Sequence, residues 1–171
     1  GSGELRFYTS FDIETDWDFM FVEAREVGTD DWTTLPDAGG LTTQQTGNSC
    51  TSGWVQQIHP FLAHYQGADC SPTGSTGQWH AATGSSNGWK EFVADLSGYA
   101  GRQVEVSITY ATDWATQNLG LFVDDTRVVV DGGTVAETSF ETDFGGWTVA
   151  GPPPGSAPGA NDWSRSQQAF E

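Results

Sequence analysis

The chain has 171 residues, of which 36% are hydrophobic, 13% aromatic and only 17% charged, a composition that excludes a disordered or coiled-coil protein. The 23 acidic residues outnumber the six basic ones and give a net charge of −17, which excludes nucleic acid and anionic membranes as partners because both require basic surfaces. No apolar run approaches the ~20 residues of a membrane span, so we expect one domain with a short flank.

Alternating apolar and polar residues predict a half-buried first strand from Leu5 to Ile13. The segment from Trp17 to Ala24 is apolar on both faces, which is typical of a central strand covered on both sides. The remaining predicted strands lie, in chain order, at residues 32–35, 92–96, 104–110, 119–130 (one strand or two), 135–140 and 146–149. Glycine-rich turns separate these short strands. The pattern therefore predicts an all-β fold, a two-sheet antiparallel jelly-roll sandwich.

A long insert with little strand propensity interrupts this pattern at residues 38–87. Within it, apolar residues at helical spacing predict one short helix from about Pro60 to Gln66, since proline suits a first helical turn. An insert of this length is expected to pack on the sandwich or to serve a function. The predicted module spans residues 4–150, and a Pro/Gly-rich linker with a docked or truncated C-terminal segment occupies residues 151–171.

The two cysteines, Cys50 and Cys70, both lie in this insert. An isolated pair in a Gly/Ser/Thr-rich stretch predicts one disulfide and an oxidising compartment. The alternatives are two unpaired buried thiols and a metal site, although the CxxC spacing of such sites is missing. The chain also stops at Glu171 without a closing signal. We therefore expect a piece of a larger protein that is secreted to the extracellular space.

Acidic side chains form three candidate groups of calcium ligands. The first shares one face of an extended chain and has no basic neighbour between Arg6 and Arg25: Asp12, Glu14, Asp16 and Asp18. The other two end apolar strands: Asp124 with Asp125, and Glu141 with Asp143. Three such groups are expected to converge at one rim of the sandwich, where a hard divalent cation would relieve their repulsion. The alternative is a solvated acidic surface, because no DxDxDG loop is present.

Histidine and tryptophan suggest two further functions. The three histidines, His59, His64 and His80, occur without HExxH or HxxE motifs, and no GxSxG is present, which argues against zinc or triad catalysis. A pair of acidic residues acting as a glycosidase dyad is a further alternative, but the sequence singles out no residue as the general acid or the general base. Three loop tryptophans are candidates for stacking against sugars in a carbohydrate-binding module: Trp54, Trp79 and Trp114. The alternative is that these rings anchor long loops.

Four blocks of the sequence resemble MAM-like β-sandwich modules of secreted bacterial metallopeptidases. Residues 11–35 resemble the strand pair "D-F/Y-x-x-V-E" and "W-T-x-L", and residues 88–114 resemble "W…DLS-x-YAG-x-x-V-x-x-x-x-x-Y-x-T/S-D". Residues 119–129 resemble "G-x-x-V-DD-x-x-V", and residues 139–149 resemble "F-E-x-x-x-x-GW". The nearest resemblance is to the non-catalytic C-terminal region of actinobacterial zinc carboxypeptidases (carboxypeptidase A/T-like), followed by immune-inhibitor-A-like metallopeptidases. Since the FE-GW block opens the usual module but comes late here, it either completes this sandwich or begins another repeat.

The resemblance implies a structural calcium associated with the "FE" glutamate and the "DD" aspartates, hence with Glu141 and with Asp124 or Asp125. Strand alternation would place those two aspartates on opposite faces. The acid spacing adds Asp16 and Asp18 to this ligand set. The zinc-binding signature of carboxypeptidases is absent, so the resemblance implies a non-catalytic module without zinc. Its expected partners are the catalytic domain of the parent peptidase and a polysaccharide or protein substrate.

Overall fold

The computed structural model describes residues 1–51, 53–159 and 161–166. These residues form seven strands in chain order: β1 (Gly3–Asp12), β2 (Phe19–Glu26), β3 (Thr33–Leu35), β4 (Lys90–Asp95), β5 (Val104–Ala111), β6 (Gly120–Val130) and β7 (Gly133–Thr138). Antiparallel pairing joins them into two sheets, with the orders β4-β1-β6-β7 and β3-β2-β5. The predicted all-β two-sheet sandwich is therefore confirmed. No helix among the described residues is long and apolar enough to cross a membrane.

The main core lies between the two sheets, where alternation directs one face of each strand inward. Phe7 of β1 and Phe92 of β4 are directly paired, and their rings stack with centroids 4.9 Å apart. Met20 and Val22 of β2 reach the same core from the opposite sheet. Burying such side chains contributes about 1.5–3 kcal/mol each, which makes this interface the principal source of stability.

The insert forms a third layer on the outer face of β2. Phe19 and Phe21 point away from the main core and pack with Trp79 of the insert, with ring centroids 5.4 and 5.1 Å apart. Leu62 and Tyr65 of the insert complete this second buried cluster. The central strand is thus covered on both sides, as its apolar sequence predicted.

The insert contains more helical turns than predicted. Within the insert, two α-helices, α1 (Asn48–Thr51) and α2 (Trp54–Ile58), precede a 3₁₀ helix at Pro60–His64. Outside the insert, a further 3₁₀ turn follows β4 at Ser97–Tyr99. The short helix predicted from about Pro60 to Gln66 is present, ends two residues earlier, at His64, and is of the 3₁₀ type. Proline has no N–H to continue the hydrogen bonding of α2, so the chain restarts as a separate helix.

The predicted disulfide joins Cys50 of α1 to Cys70, with Cα atoms 5.4 Å apart. It closes a loop that contains α2 and the 3₁₀ helix. In the chain-entropy model, a disulfide that closes a loop of this length stabilises the folded state by about 3 kcal/mol. A hydrogen bond of 2.7 Å from the Gln66 amide to the Ser49 hydroxyl reinforces the same closure.

The FE-GW block does not form the strand predicted at residues 146–149. Among the described residues, the chain after β7 contains no helix or strand. Trp147 instead packs against the main core, and its indole N–H donates to the Thr126 hydroxyl at 2.9 Å. The following tail contacts the insert, since the Ala157 N–H donates to the Ile58 carbonyl at 2.6 Å. Within the predicted C-terminal segment, residues 160 and 167–171 lie outside the described residues.

A buried carboxylate couples the insert to the sheet. Glu23 of β2 accepts hydrogen bonds from the Tyr65 hydroxyl (2.6 Å) and the Thr109 hydroxyl (2.5 Å). Burial raises the pKa of Glu23, and the two hydrogen bonds only partly oppose this shift. The stabilisation from this group is therefore fully present below the ordinary glutamate pKa of about 4.3 and is lost as the pH rises through the folded-state pKa.

We expect Glu23→Gln to flatten the fall of the melting temperature as the pH rises from about 4.3, the ordinary glutamate pKa, because the amide cannot ionise. Circular-dichroism melts across this range measure the effect. Glu137→Gln is the matched control, since Glu137 is exposed on β7 and its substitution should leave the wild-type slope unchanged. Parallel curves for wild type and Glu23→Gln would contradict this role for Glu23.

Candidate metal centre

Three carboxylates meet at one rim of the sandwich. Glu14 and Asp18 lie in the loop from β1 to β2, and Asp113 follows the end of β5. Because Phe19 of β2 pairs with Ala111 of β5, the start of one strand lies beside the end of the other. One carboxylate oxygen from each of the three acids lies within 4.8 Å of the other two.

Two oxygens of this group are buried without a hydrogen-bond partner. Asp18 is 2% exposed, and its Oδ2 accepts from the Tyr110 hydroxyl at 2.9 Å and from the Glu14 N–H at 3.3 Å. Among the described residues, no group makes a hydrogen bond to its Oδ1 or to the Oε2 of Glu14. A buried acceptor left in this state costs about 1–3 kcal/mol, and more when it is charged. In the part of the chain that the structure describes, none of the three acids takes part in an ion pair.

Burial raises the pKa of Asp18, and the nearby negative charge of Asp113 acts in the same direction. The hydrogen bond from Tyr110 opposes this shift, as do the backbone N–H groups of Glu14 and Asp113. Burial together with the Asp18 charge raises the pKa of the Tyr110 phenol, so that hydroxyl remains a donor. A cation between the carboxylates would favour the ionised form of Asp18 and reverse the shift.

The insert holds the acidic loop in place. The Asp16 N–H donates to the Thr83 hydroxyl and the Asp16 carbonyl accepts from the Asn48 N–H, both at 2.8 Å. Gly47 approaches so closely that a Cβ there would lie 2.8 Å from the Asp16 carbonyl oxygen. This contact and its positive φ of 52° explain why glycine occupies position 47.

The donor set fits calcium. All three side chains offer hard carboxylate oxygens, which calcium prefers, whereas structural zinc sites are built mainly from cysteine and histidine. Calcium–oxygen distances of 2.3–2.6 Å allow two ligands of one ion to lie up to about 5 Å apart, and the observed separation meets this limit.

The structure brings one predicted ligand, Asp18, into this group. The other four predicted ligands do not belong to it: Asp16, Asp124, Asp125 and Glu141. Asp16 lies exposed in the same loop, and Glu141 follows β7. The aspartate pair does not end a strand, because β6 continues to Val130. Asp124 pairs with Tyr8, four residues along β1 from the rim, a distance of about 13 Å.

Sequence reasoning noted Glu14 in the acidic cluster but left it out of the ligand set, and it missed Asp113. The signal for Asp113 was present, since this residue is the final aspartate of the "Y-x-T/S-D" motif. Nothing in the sequence alone indicates that this motif lies beside Asp18. That proximity comes from the pairing of β2 with β5.

The three tryptophans predicted to stack on a ligand differ in their exposure. Trp79 is fully buried, and its indole N–H donates to the Gln45 carbonyl at 3.0 Å, so it anchors the insert. Trp54 and Trp114 are 39% and 61% exposed. Their rings meet edge to face, at an interplanar angle of 83°, and therefore form no flat platform for a sugar ring.

The histidines serve the packing of the insert. The His59 Nε2 atom lies 2.9 Å from the Thr112 carbonyl and ties the end of α2 to the segment that carries Asp113. Burial lowers the pKa of His59. The His64 Nδ1 atom lies 2.8 Å from the Thr76 hydroxyl, and burial also lowers the pKa of His80. Among the described residues, no histidine belongs to the carboxylate group.

No family model matches the chain. Over 151 residues the chain is 31% identical to the pre-pro-metalloprotease PrtV of Vibrio cholerae serotype O1 strain M66-2. The protein of the same name from strain ATCC 39315 / El Tor Inaba N16961 matches equally well. Each match covers 86% of this chain but only 13% of the relative. The predicted relationship to a part of a metallopeptidase is confirmed in this general form.

Proposed function

We propose that the chain is a non-catalytic accessory module of a secreted zinc metallopeptidase of the carboxypeptidase type, stabilised by one structural calcium ion. The buried, unpartnered oxygen of Asp18, beside Glu14 and Asp113, is the observation that carries the calcium site. The similarity to a short part of a metalloprotease supports the accessory role. The disulfide supports an extracellular location, because such bonds persist in oxidising compartments.

The ion would act as a structural link. Glu14 and Asp18 would bind it from the β1–β2 loop and Asp113 from the end of β5, so one cation would fasten both strands at the rim. His59 ties the insert to the neighbouring Thr112, which would extend this link to the third layer. Without a cation these carboxylates repel one another. With the ion bound, they would instead stabilise the folded state. The module would serve the folding or spacing of its parent peptidase, or its attachment to a substrate.

Calcium is expected to raise the melting temperature of the purified chain and EDTA to lower it. An ion present at a hundredfold excess over its Kd stabilises the folded state by about 2.7 kcal/mol, which corresponds to roughly 5–10 °C for a domain of this size. Calorimetric titration of the metal-free chain should give one calcium ion per molecule. Asp113→Asn should remove most of this response.

Asp16→Asn is the matched control for this experiment. It removes one negative charge from the same loop, and asparagine tolerates the positive φ of 65° at this position. The structure predicts an unchanged calcium response for this variant. Identical melting temperatures in calcium and EDTA would refute the site, and equal losses in Asp16→Asn and Asp113→Asn would refute the assignment of its ligands.

A further inference from the structure

A small cavity of about 290 Å³ opens on the outer face of the β4-β1-β6-β7 sheet. Its lining consists of two aromatic and two acidic residues: Tyr8, Trp89, Asp124 and Asp125. Tyr8 and Trp89 are 41% and 53% exposed. Tyr8 of β1 pairs directly with Asp124 of β6, and Trp89 immediately precedes β4 on the other side of β1.

A β-bulge places Asp124 and Asp125 together in the lining of this cavity, where the Asp125 N–H donates to the Asp124 Oδ1 at 2.8 Å. In a regular strand Asp124 and Asp125 would point to opposite faces, as the sequence predicted. The register between β1 and β6 shifts between Arg6 and Tyr8, and Asp125 adopts a positive φ of 48°. The buried Thr126 then resumes the inward-facing side. Bulges of this kind redirect side chains, and here one places two acids beside the same opening.

The cavity has negative charge without a counter-charge. The arginines on the same sheet face pair elsewhere: Arg6 Nε lies 2.8 Å from Glu4, and Arg127 Nη2 lies 2.6 Å from Glu91. Within the described ranges, neither aspartate of the cavity takes part in an ion pair. The net charge of −17 adds a long-range attraction for positively charged partners.

We propose that this cavity binds a single cationic side chain, arginine or lysine, presented by a partner polypeptide. Aromatic faces attract such cations, and a guanidinium group pairs with carboxylates through two parallel hydrogen bonds. This proposal is independent of the calcium site.

The test is an NMR titration of the ¹⁵N-labelled chain with acetyl-Gly-Arg-Gly-amide, followed at the backbone amide of Tyr8, which every variant retains, and at the indole N–H of Trp89 where it is present. We expect saturable shifts with a Kd on the order of millimolar, because one exposed cation–π contact and exposed ion pairs are individually weak. Trp89→Ala or Asp125→Asn should each weaken binding by about threefold, and both together by about tenfold. Asparagine accepts the left-handed conformation at position 125, so the bulge is retained. Salt should weaken binding.

Three controls make the result decisive. Glu137→Gln removes an exposed charge and Trp114→Ala an exposed ring outside the cavity, and both should bind the arginine peptide like wild type. The matched peptide acetyl-Gly-Gln-Gly-amide should cause no saturable shift. Equal binding of the two peptides, or no shift at all, would overturn the proposal. So would saturation of the Trp89 signal by maltotriose or by calcium chloride when the arginine peptide has no effect.

Discussion

Replacing Trp79 by alanine is expected to reduce the free energy of unfolding by about 3–5 kcal/mol, the cost of deleting a large buried aromatic side chain. Trp79 is fully buried, contacts Phe19 and Phe21, and hydrogen-bonds the Gln45 carbonyl. Its loss would leave a cavity between β2 and the insert and free the 43–47 segment. Thermal and urea unfolding followed by circular dichroism would show a melting temperature lower by roughly 10 °C.

Trp114→Ala is the matched control for this prediction, because Trp114 is largely exposed and its removal should change stability by no more than about 0.5 kcal/mol. Trp79→Phe should fall between the two, since it keeps most of the packing but loses the indole hydrogen bond. If Trp79→Ala melted like wild type, Trp79 would not be the anchor of the third layer.

Asp18→Asn is expected to change stability in opposite directions with and without calcium. Burial raises the pKa of Asp18, so its favourable contribution is fully present below about pH 3.9 and is lost as the pH rises through its folded-state pKa. At pH 7 in EDTA, the variant should therefore be more stable than wild type by about 1 kcal/mol. Its amide keeps an acceptor for Tyr110 and offers donors to Glu14 and Asp113.

In calcium the order should reverse, because the variant loses the ligand that wild type uses to gain about 2.7 kcal/mol at a hundredfold excess of the ion. Melting curves of both proteins in EDTA and in calcium give the four values needed. The same chemistry predicts that acidification weakens calcium binding to wild type, since Asp18 must be ionised to bind. A variant that was destabilised in EDTA and still responded to calcium would contradict the proposed role of Asp18.

The local pattern of the sequence was sufficient for the strands with clear alternation. Period-two alternation in β1 and β5 reports which face of each strand is buried, so these strands were found close to their observed limits. Turn chemistry was less informative. Pro60 does begin a short helix, as predicted, but its 3₁₀ type could not be inferred, and Gly146–Val149 is a loop although it contains apolar residues.

Composition and spacing alone established an acidic β-protein with a disulfide-bearing insert, because charge, cysteine count and alternation are properties of neighbouring residues. Which acids meet was settled by pairing between distant parts of the chain. Asp113 reaches Asp18 because β5 aligns with β2, and Asp124 joins Asp125 at one cavity because a bulge shifts the register of β6. Strand register depends on the packing of the whole core, and no local run of residues records it.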